Sequence, residues 1–273
     1  MRVAVCQVNS REDRGANLTN ARELIGRAAA AGAEFVMLPE YVDYLGPVDG
    51  EPKPEPVDGE FAAFFAETAR ELGIWLHAGS FHEASPDPAR THNTSLLFDR
   101  TGGLSAVYRK IHLYDVEIPG RVSVRESASV APGEETVVTD VDGVGVGLSI
   151  CYDLRFPELY RRLAVSGATV LVVPAAFMVH TGRDHWEVLL RARAIENQLY
   201  VVAPAQFGEP MPGRRSFGRS LVADPWGTVL AQAPDEECVI VAELDRGRVR
   251  DVRARLPSLA NRQPDAYRWP TPA

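Results

Sequence analysis

With 273 residues, 45% of them hydrophobic and 24% charged, the chain has the make-up of a soluble globular protein that can bury a full core. Acidic residues outnumber basic ones by 37 to 29, and the resulting net charge of −8 argues against nucleic acid as a partner. No apolar run approaches the ~20 residues of a membrane span, so no membrane partner is expected. The three cysteines, Cys6, Cys151 and Cys238, lie too far apart for a disulfide framework or a metal motif, which suggests a reduced, cytoplasmic setting.

Residues 2–8 alternate weakly and predict a buried strand, too short for the apolar core of a signal peptide. Asn17 is the expected cap of a helix running to about Ala31, with Leu18, Ala21, Leu24, Ile25, Ala28 and Ala29 on one face and Gly32 ending it. Phe35 to Pro39 reads as a fully apolar strand that runs straight into Glu40 and Tyr41. A proline-rich loop at 46–58, a helix at 59–72 and a strand at 74–81 follow. Asn93–Asp99 and Leu104–Arg109 flank a glycine-containing turn and predict a hairpin that delivers Lys110 at its end. Residues 111–135 carry few periodic signals and read as one long ordered loop, a length that points to function.

The second half repeats this layout. It predicts a strand at 143–151, a helix at 157–166, a strand at 169–174, a helix at 184–198 and a strand at 199–205. A hairpin around Asp224-Pro225-Trp226-Gly227 and a strand at 238–244 complete it. Strands alternating with helices predict α/β layers, and the repeated order predicts a four-layer α-β-β-α sandwich of two mixed sheets with outer helices. No linker divides the chain, so a single domain over 1–273 is expected. It ends in an arm at about 257–273 whose Arg262, Pro264, Tyr267, Trp269 and Pro270 suit docking on a partner subunit.

In open α/β folds ligands sit beyond the carboxyl ends of the strands, and three such ends carry Glu40, Lys110 and Cys151. Alone, each has an ordinary reading: a loop carboxylate, a surface lysine, a small core cysteine. Together they are complementary. A thiol is mostly protonated at neutral pH and needs a base or a cation to make it a nucleophile. A carboxylate can take its proton, and an ammonium can hold the charge that develops on a carbonyl oxygen. The backbone N–H of Tyr152 is a second candidate oxyanion donor, and Glu126 can hold Lys110 or share proton transfer with Glu40. A Cys–His pair using His112 or His185 is the competing enzyme reading, and a binding protein with a decayed site is the reading from another class. Metal use is not expected, because His77/His82 and His180/His185 lack ligand spacing. Gly143, Gly145 and Gly147 lie inside a strand rather than after one, so they predict close backbone approach, not a dinucleotide loop.

The segments Leu38-Pro39-Glu40-Tyr41, Tyr108 to Asp115 and Ile150 to Glu158 resemble the three signature segments of the nitrilase superfamily of carbon–nitrogen hydrolases. The likeness continues through Pro174 to Phe177, His185-Trp186-Glu187, Arg191 to Asn197 and Asp224 to Gly227. It implies Glu40 as general base, Lys110 as oxyanion stabiliser, Cys151 as nucleophile and Glu126 as a supporting acid. It also implies the four-layer sandwich, a homodimer or higher homo-oligomer, and no cofactor. Ile118-Pro119-Gly120, Arg125-Glu126-Ser127 and the cysteine segment are most similar to the amidase branch related to deaminated glutathione amidase and ω-amidase. The implied reaction is hydrolysis of a small carboxylate-bearing amide to an acid and ammonia through a thioester. N-carbamoyl amino acids and aliphatic amides are the alternative substrates. Arg155 suits the substrate carboxylate through its planar fork, or else pairs with Asp153 or Glu158. Tyr44, Phe177 and Met178 are candidate pocket walls, with His112 and His185 as pocket neighbours.

Overall fold

The computed structural model describes every residue except 48, 49, 51, 52, 121 and 267–273. Part of the 46–58 loop and the aromatic end of the expected C-terminal arm, with Tyr267, Trp269 and Pro270, lie outside the described residues. In chain order the first half runs β1 (Arg2–Gln7), α1 (Arg14–Ala30), β2 (Phe35–Met37), α2 (Glu60–Leu72), β3 (Trp75–His77), β4 (Phe81–Ala84), β5 (Thr91–Phe98) and β6 (Leu104–Arg109). A small hairpin, β7 (Asp115–Ile118) and β8 (Val122–Arg125), leads to β9 (Val138–Val141) and β10 (Val144–Leu148). Then come α3 (Pro157–Val165), β11 (Val170–Val172), α4 (Val179–Asn197), β12 (Tyr200–Ala203) and the hairpin β13 (Phe207–Met211) and β14 (Arg214–Phe217). The chain closes with β15 (Leu221–Ala223), β16 (Val229–Gln232), β17 (Cys238–Glu243) and α5 (Arg246–Arg255).

Two mixed sheets result. One has the order β17-β1-β2-β3-β5, with β4 and β6 also pairing β5; the other has the order β16-β15-β12-β11-β10-β9. In each, three central strands are parallel and are joined by helical crossovers. Side-chain alternation sorts the layers. Val3, Val5, Phe35 and Met37 share a buried cluster with Val146, Leu148, Ile150 and Val172 of the other sheet. Their chain neighbours Ala4, Cys6, Val36 and Leu38 pack instead with Leu24 and Ile25 of α1 and Phe61 and Phe65 of α2. Leu163 of α3 and Trp186 and Leu190 of α4 cover the second sheet. These contacts make the α-β-β-α sandwich that the alternating pattern predicts.

Several boundaries differ from the sequence expectation, each for a local reason. Asp13, not Asn17, caps α1: its carboxylate accepts the Ala16 N–H at 3.0 Å. Asn17 is instead buried inside the helix, its amide donating to the carbonyls of Arg11 and Asp43 at 2.7 and 2.8 Å. The strand expected at 74–81 stops at His77 because Gly79 adopts a positive φ of 69°; a Cβ there would lie 2.0 Å from the Pro39 carbonyl oxygen. The long loop at 111–135 contains the β7–β8 hairpin, whose partly polar alternation gave little hydrophobic signal. Residues 209–215 form the end of the β13–β14 hairpin, which is tied to the sandwich by the Phe217 N–H donating to the Phe177 carbonyl at 2.7 Å. Helix α4 begins at Val179, ahead of the expected 184, while β9 and α5 were not anticipated.

Candidate active site

Glu40 lies three residues beyond β2, Lys110 directly after β6, and Cys151 three residues beyond β10. The two sheets pack so that these ends meet. Glu40 and Lys110 are each 2% exposed and Cys151 8% exposed, so their charges and thiol are largely removed from bulk water. A buried charge must be paired, and here the pairing is nearly complete. The Lys110 ammonium donates to both oxygens of Glu126 at 2.9 Å and to Glu40 Oε1 at 3.0 Å, which uses all three of its N–H donors. Glu40 Oε1 also accepts from Asn93 Nδ2 at 2.9 Å, and its Oε2 accepts the Ala176 N–H at 2.8 Å. Glu126 Oε2 accepts the Tyr114 N–H at 2.5 Å, and Oε1 accepts from the Tyr41 hydroxyl at 3.2 Å.

The titration behaviour follows. Burial works to lower the Lys110 pKa, but the adjacent Glu126 and Glu40 carboxylates outweigh it and hold the ammonium charged well above the ordinary lysine range. Burial likewise works to raise Glu126, yet the Lys110 charge and the Tyr114 N–H bring it below the usual carboxylate value. Burial pushes the Cys151 thiol well above its ordinary value, with the Glu40 charge and the thiol's hydrogen bond to that carboxylate adding to the shift and Lys110 opposing it. The resting thiol is therefore neutral, with a carboxylate beside it.

Cys151 opens a 3₁₀ turn, Cys151–Arg155, and sits at a positive φ of 49°, a strained conformation for a non-glycine residue. Its N–H is anchored to the Pro174 carbonyl at 2.8 Å. Asp153 holds the rest of the turn: it accepts from the Ile150 N–H at 2.8 Å, the Tyr108 hydroxyl at 2.7 Å and the His112 N–H at 3.0 Å. Pro157 then starts α3, where its missing N–H is harmless. Beneath the turn, Gly145 lets β10 meet the following connection, since a Cβ would lie 2.3 Å from the Gly167 carbonyl oxygen.

Two cavities share Cys151. The larger, about 290 Å³, is lined by Glu40, Tyr41, Tyr44, Lys110 and Glu126, with Arg125 and Arg214 at its wall. The smaller, about 30 Å³, is lined by Tyr114, Tyr152, Arg155, Phe177, Met178 and Thr181. Tyr114, Ala176 and Met178 border both. A wider, open groove of about 620 Å³ beside Arg90, His92 and Arg109 includes none of the Glu40, Lys110 and Cys151 groups.

Arg155 forms no ion pair with Asp153 or Glu158 among the described residues, contrary to one sequence expectation. Asp153 is already committed to backbone, Tyr108 and His112. The guanidinium instead lies 5.2 Å from the Phe177 ring centroid and 3.1 Å from His185 Nδ1. His112 stacks on Phe156 at 3.7 Å between centroids, with Nδ1 2.7 Å from Asp153, and borders neither cavity. His185 is exposed and reaches the smaller cavity only through Arg155. Tyr44 is 2% exposed, lines the larger cavity and donates to the Pro47 carbonyl at 2.5 Å.

Sequence reasoning missed four members. Asn93 is fully buried on Glu40, and Gln206 donates to the carbonyls of Glu40 and Tyr41 at 2.9 and 3.2 Å. Tyr41 and Tyr114 flank the carboxylate pair. Polar residues inside otherwise apolar strands were the one available signal for Asn93; Gln206 gave none. Among the described residues no cluster of three or more His, Cys, Asp or Glu side chains is placed to hold a metal ion, and no helix is long and apolar enough to cross a membrane.

Fold and site together define a class: an α-β-β-α sandwich with an acid–lysine–thiol cluster where the strands of its two sheets end. Comparison with known proteins agrees. The carbon-nitrogen hydrolase family matches residues 2–254. Human deaminated glutathione amidase is 44% identical over 272 residues, spanning 97% of this chain and 83% of that protein. Mouse omega-amidase NIT2 is 36% identical over 267 residues, spanning 97% and 96%. The crystal structure of the Caenorhabditis elegans NitFhit protein superposes with a TM-score of 0.91 at 42% identity, over 98% of this chain and 66% of that one. The chain belongs to the carbon-nitrogen hydrolase family of the nitrilase superfamily. It is an amidase.

Proposed function

We propose that the protein hydrolyses a small carboxylate-bearing amide through a thioester on Cys151, with Glu40 as the base and Lys110, supported by Glu126, as the oxyanion partner. The observation that carries this reading is the Cys151 thiol lining one cavity with the Glu40 carboxylate, itself ion-paired to Lys110, in a site shielded from bulk water. Glu40 takes the thiol proton as Sγ attacks the amide carbon. The oxyanion is held by the Lys110 charge and the Tyr152 N–H. Because all three Lys110 donors are engaged at rest, one contact to Glu126 is exchanged as the oxyanion forms. Collapse breaks the carbon–nitrogen bond, and Glu40 returns its proton to the leaving amine. Glu40 then takes a proton from water as the water oxygen attacks the thioester, and the carboxylic acid leaves as the thiol regains that proton.

Glu40 borders only the larger cavity, which supports placing the leaving amine on that side and the terminal carboxylate of the acyl group in the cavity of Arg155. The smaller cavity has room for a terminal group of a few atoms, not for a whole substrate. The names of the similar proteins support two substrates, deaminated glutathione and ω-amides such as 2-oxoglutaramate. Hydrolysis of a primary amide releases ammonia, and hydrolysis of an N-substituted amide releases the corresponding amine. The same reading makes the protein a single-domain cytoplasmic enzyme that forms a homodimer or larger assembly and uses no cofactor, nucleic acid or membrane. Its free cysteines and negative charge support that setting.

Intact mass spectrometry tests the chemistry, alongside product release from 2-oxoglutaramate, deaminated glutathione, N-carbamoyl amino acids, simple aliphatic amides and nitriles. An acyl adduct confined to Cys151 with amide turnover is the expected result. Turnover that survives Cys151→Ala, or a preference for nitriles, refutes it.

A further inference from the structure

The charged groups of the site are paired, but two of its buried polar atoms, Asn93 Oδ1 and the Tyr114 hydroxyl, have no partner among the described residues, and only Tyr114 borders the cavities. The Tyr114 hydroxyl is shielded from solvent and has no hydrogen-bond partner among the described residues. Burying such a group without a partner is costly, and native structures avoid it unless something else pays in the working state. Tyr114 is not loosely held. Its N–H donates to Glu126 at 2.5 Å, and its ring stands edge-on to Tyr152 with centroids 5.0 Å apart. A phenylalanine would fill the same space without the unmet hydroxyl.

Position says what the hydroxyl serves. Tyr114 borders both cavities beside Cys151 and shares the wall of the smaller one with Arg155. That guanidinium has ring and imidazole neighbours but no carboxylate among the described residues. Tyr114 and Arg155, which carry one neutral and one charged donor, thus line a space of about 30 Å³, and no acid lines it. A carboxylate matches this donor set, because it offers several acceptor sites and no donor. A neutral alkyl or primary amine terminus would leave both groups unmet.

We propose that the Tyr114 hydroxyl donates a hydrogen bond to the substrate carboxylate held by Arg155, making Tyr114 a determinant of specificity for acidic acyl groups. The inference rests on the carboxylate reading of the smaller cavity given above. Burial, followed by the nearby Cys151, raises the Tyr114 phenol above its ordinary value, so the group remains a donor throughout the neutral range.

The test is steady-state kinetics of Tyr114→Phe and Arg155→Met on two amides of equal length, one ending in a carboxylate and the other in a neutral group. Tyr114→Phe is expected to raise KM for the acidic amide by about tenfold, as for a lost hydrogen bond to a charged group. It should leave kcat, and both constants for the neutral amide, within about twofold. Its melting temperature should equal or exceed that of the wild type, because no native hydrogen bond is lost; Tyr108→Phe, which removes a 2.7 Å bond to Asp153, should lower it. Equal losses on both amides, a fall in kcat alone, or an unchanged KM for the acidic amide would overturn the inference. If Arg155→Met leaves the preference for the acidic amide intact, the carboxylate reading itself fails. If Arg155→Met abolishes that preference and Tyr114→Phe leaves it untouched, only the role of Tyr114 fails.

Discussion

The two sheets use the same strand order for different ends. β1 and β10 each lie between an antiparallel neighbour and a parallel one, and each is followed by a helix. Three residues beyond β1 stands Ser10; three residues beyond β10 stands Cys151. Ser10 is buried, its hydroxyl donating to the Val42 carbonyl at 2.8 Å and accepting from Gln206 at 2.9 Å. Cys151 sits at positive φ and lines two cavities. The next strands show the reverse assignment. β2 leads through Pro39 to Glu40, whereas β11 leads through Pro174 to Ala175 and Ala176, whose N–H holds Glu40. One sheet thus supplies Glu40 and Lys110 and the other the thiol and a backbone donor, with Glu126 added by the β7–β8 hairpin. Equivalent positions in a repeated architecture have become either scaffold or chemistry according to whether their polar atoms are already satisfied.

The sharpest way to break this comparison is to move the thiol. Cys151→Ala should lower product formation by at least about 10⁴-fold, and adding Ser10→Cys to it should restore nothing, as measured by adduct mass and turnover. Rescue would mean that the two ends are interchangeable. Glu40→Gln keeps the shape and removes the base, so a loss of about 10²–10⁴-fold in kcat is expected; a loss no greater than that of His112→Asn or His185→Asn would favour a cysteine–histidine pair instead. Glu126→Gln leaves Lys110 with weaker support. A fall of about 10–10²-fold in kcat with little change in KM is expected, on the scale of a lost charge-assisted contact.

Smaller effects probe the scaffold. Gly145→Ala forces a methyl against the Gly167 carbonyl and should cost about 1–3 kcal/mol in denaturant unfolding. An unchanged midpoint would show that the close approach beneath the cysteine turn is not needed. Last, β3 of the first sheet ends in buried His77, where the matching β12 ends in Ala203. Burial lowers the His77 pKa to about 3. The unfolded chain therefore binds a proton that the native state refuses, and stability is lost as pH falls below about 6.5 towards 3. Between pH 6.5 and 5 the slope of stability against pH should shrink in His77→Leu by up to about 1.4 kcal/mol per unit; an equal slope in variant and wild type would assign it elsewhere.

Much of this was legible in the chain. Alternation in residues 2–8 and 144–150 marks strands, apolar runs before Glu40 and Cys151 mark strand ends, and the repeated order predicts two layers of sheet between helices, because side-chain period is a local property. The same local logic nominated Glu40, Lys110, Glu126 and Cys151, which the structure brings together. What it could not reach is whatever depends on packing between distant segments. Asn93 and Gln206 meet Glu40 across separations of 53 and 166 residues, and no pattern around them encodes that contact. The β7–β8 hairpin has strands of only four residues, too short for the alternation of Val116, Ile118, Val122 and Val124 to stand out, yet it positions Tyr114 and Glu126. Residue type and spacing determined which groups could act. Only the tertiary packing decided that Lys110 would have every ammonium proton engaged and that the Tyr114 hydroxyl would find no partner among the described residues, because hydrogen-bond satisfaction is a property of the assembled interior rather than of the chain.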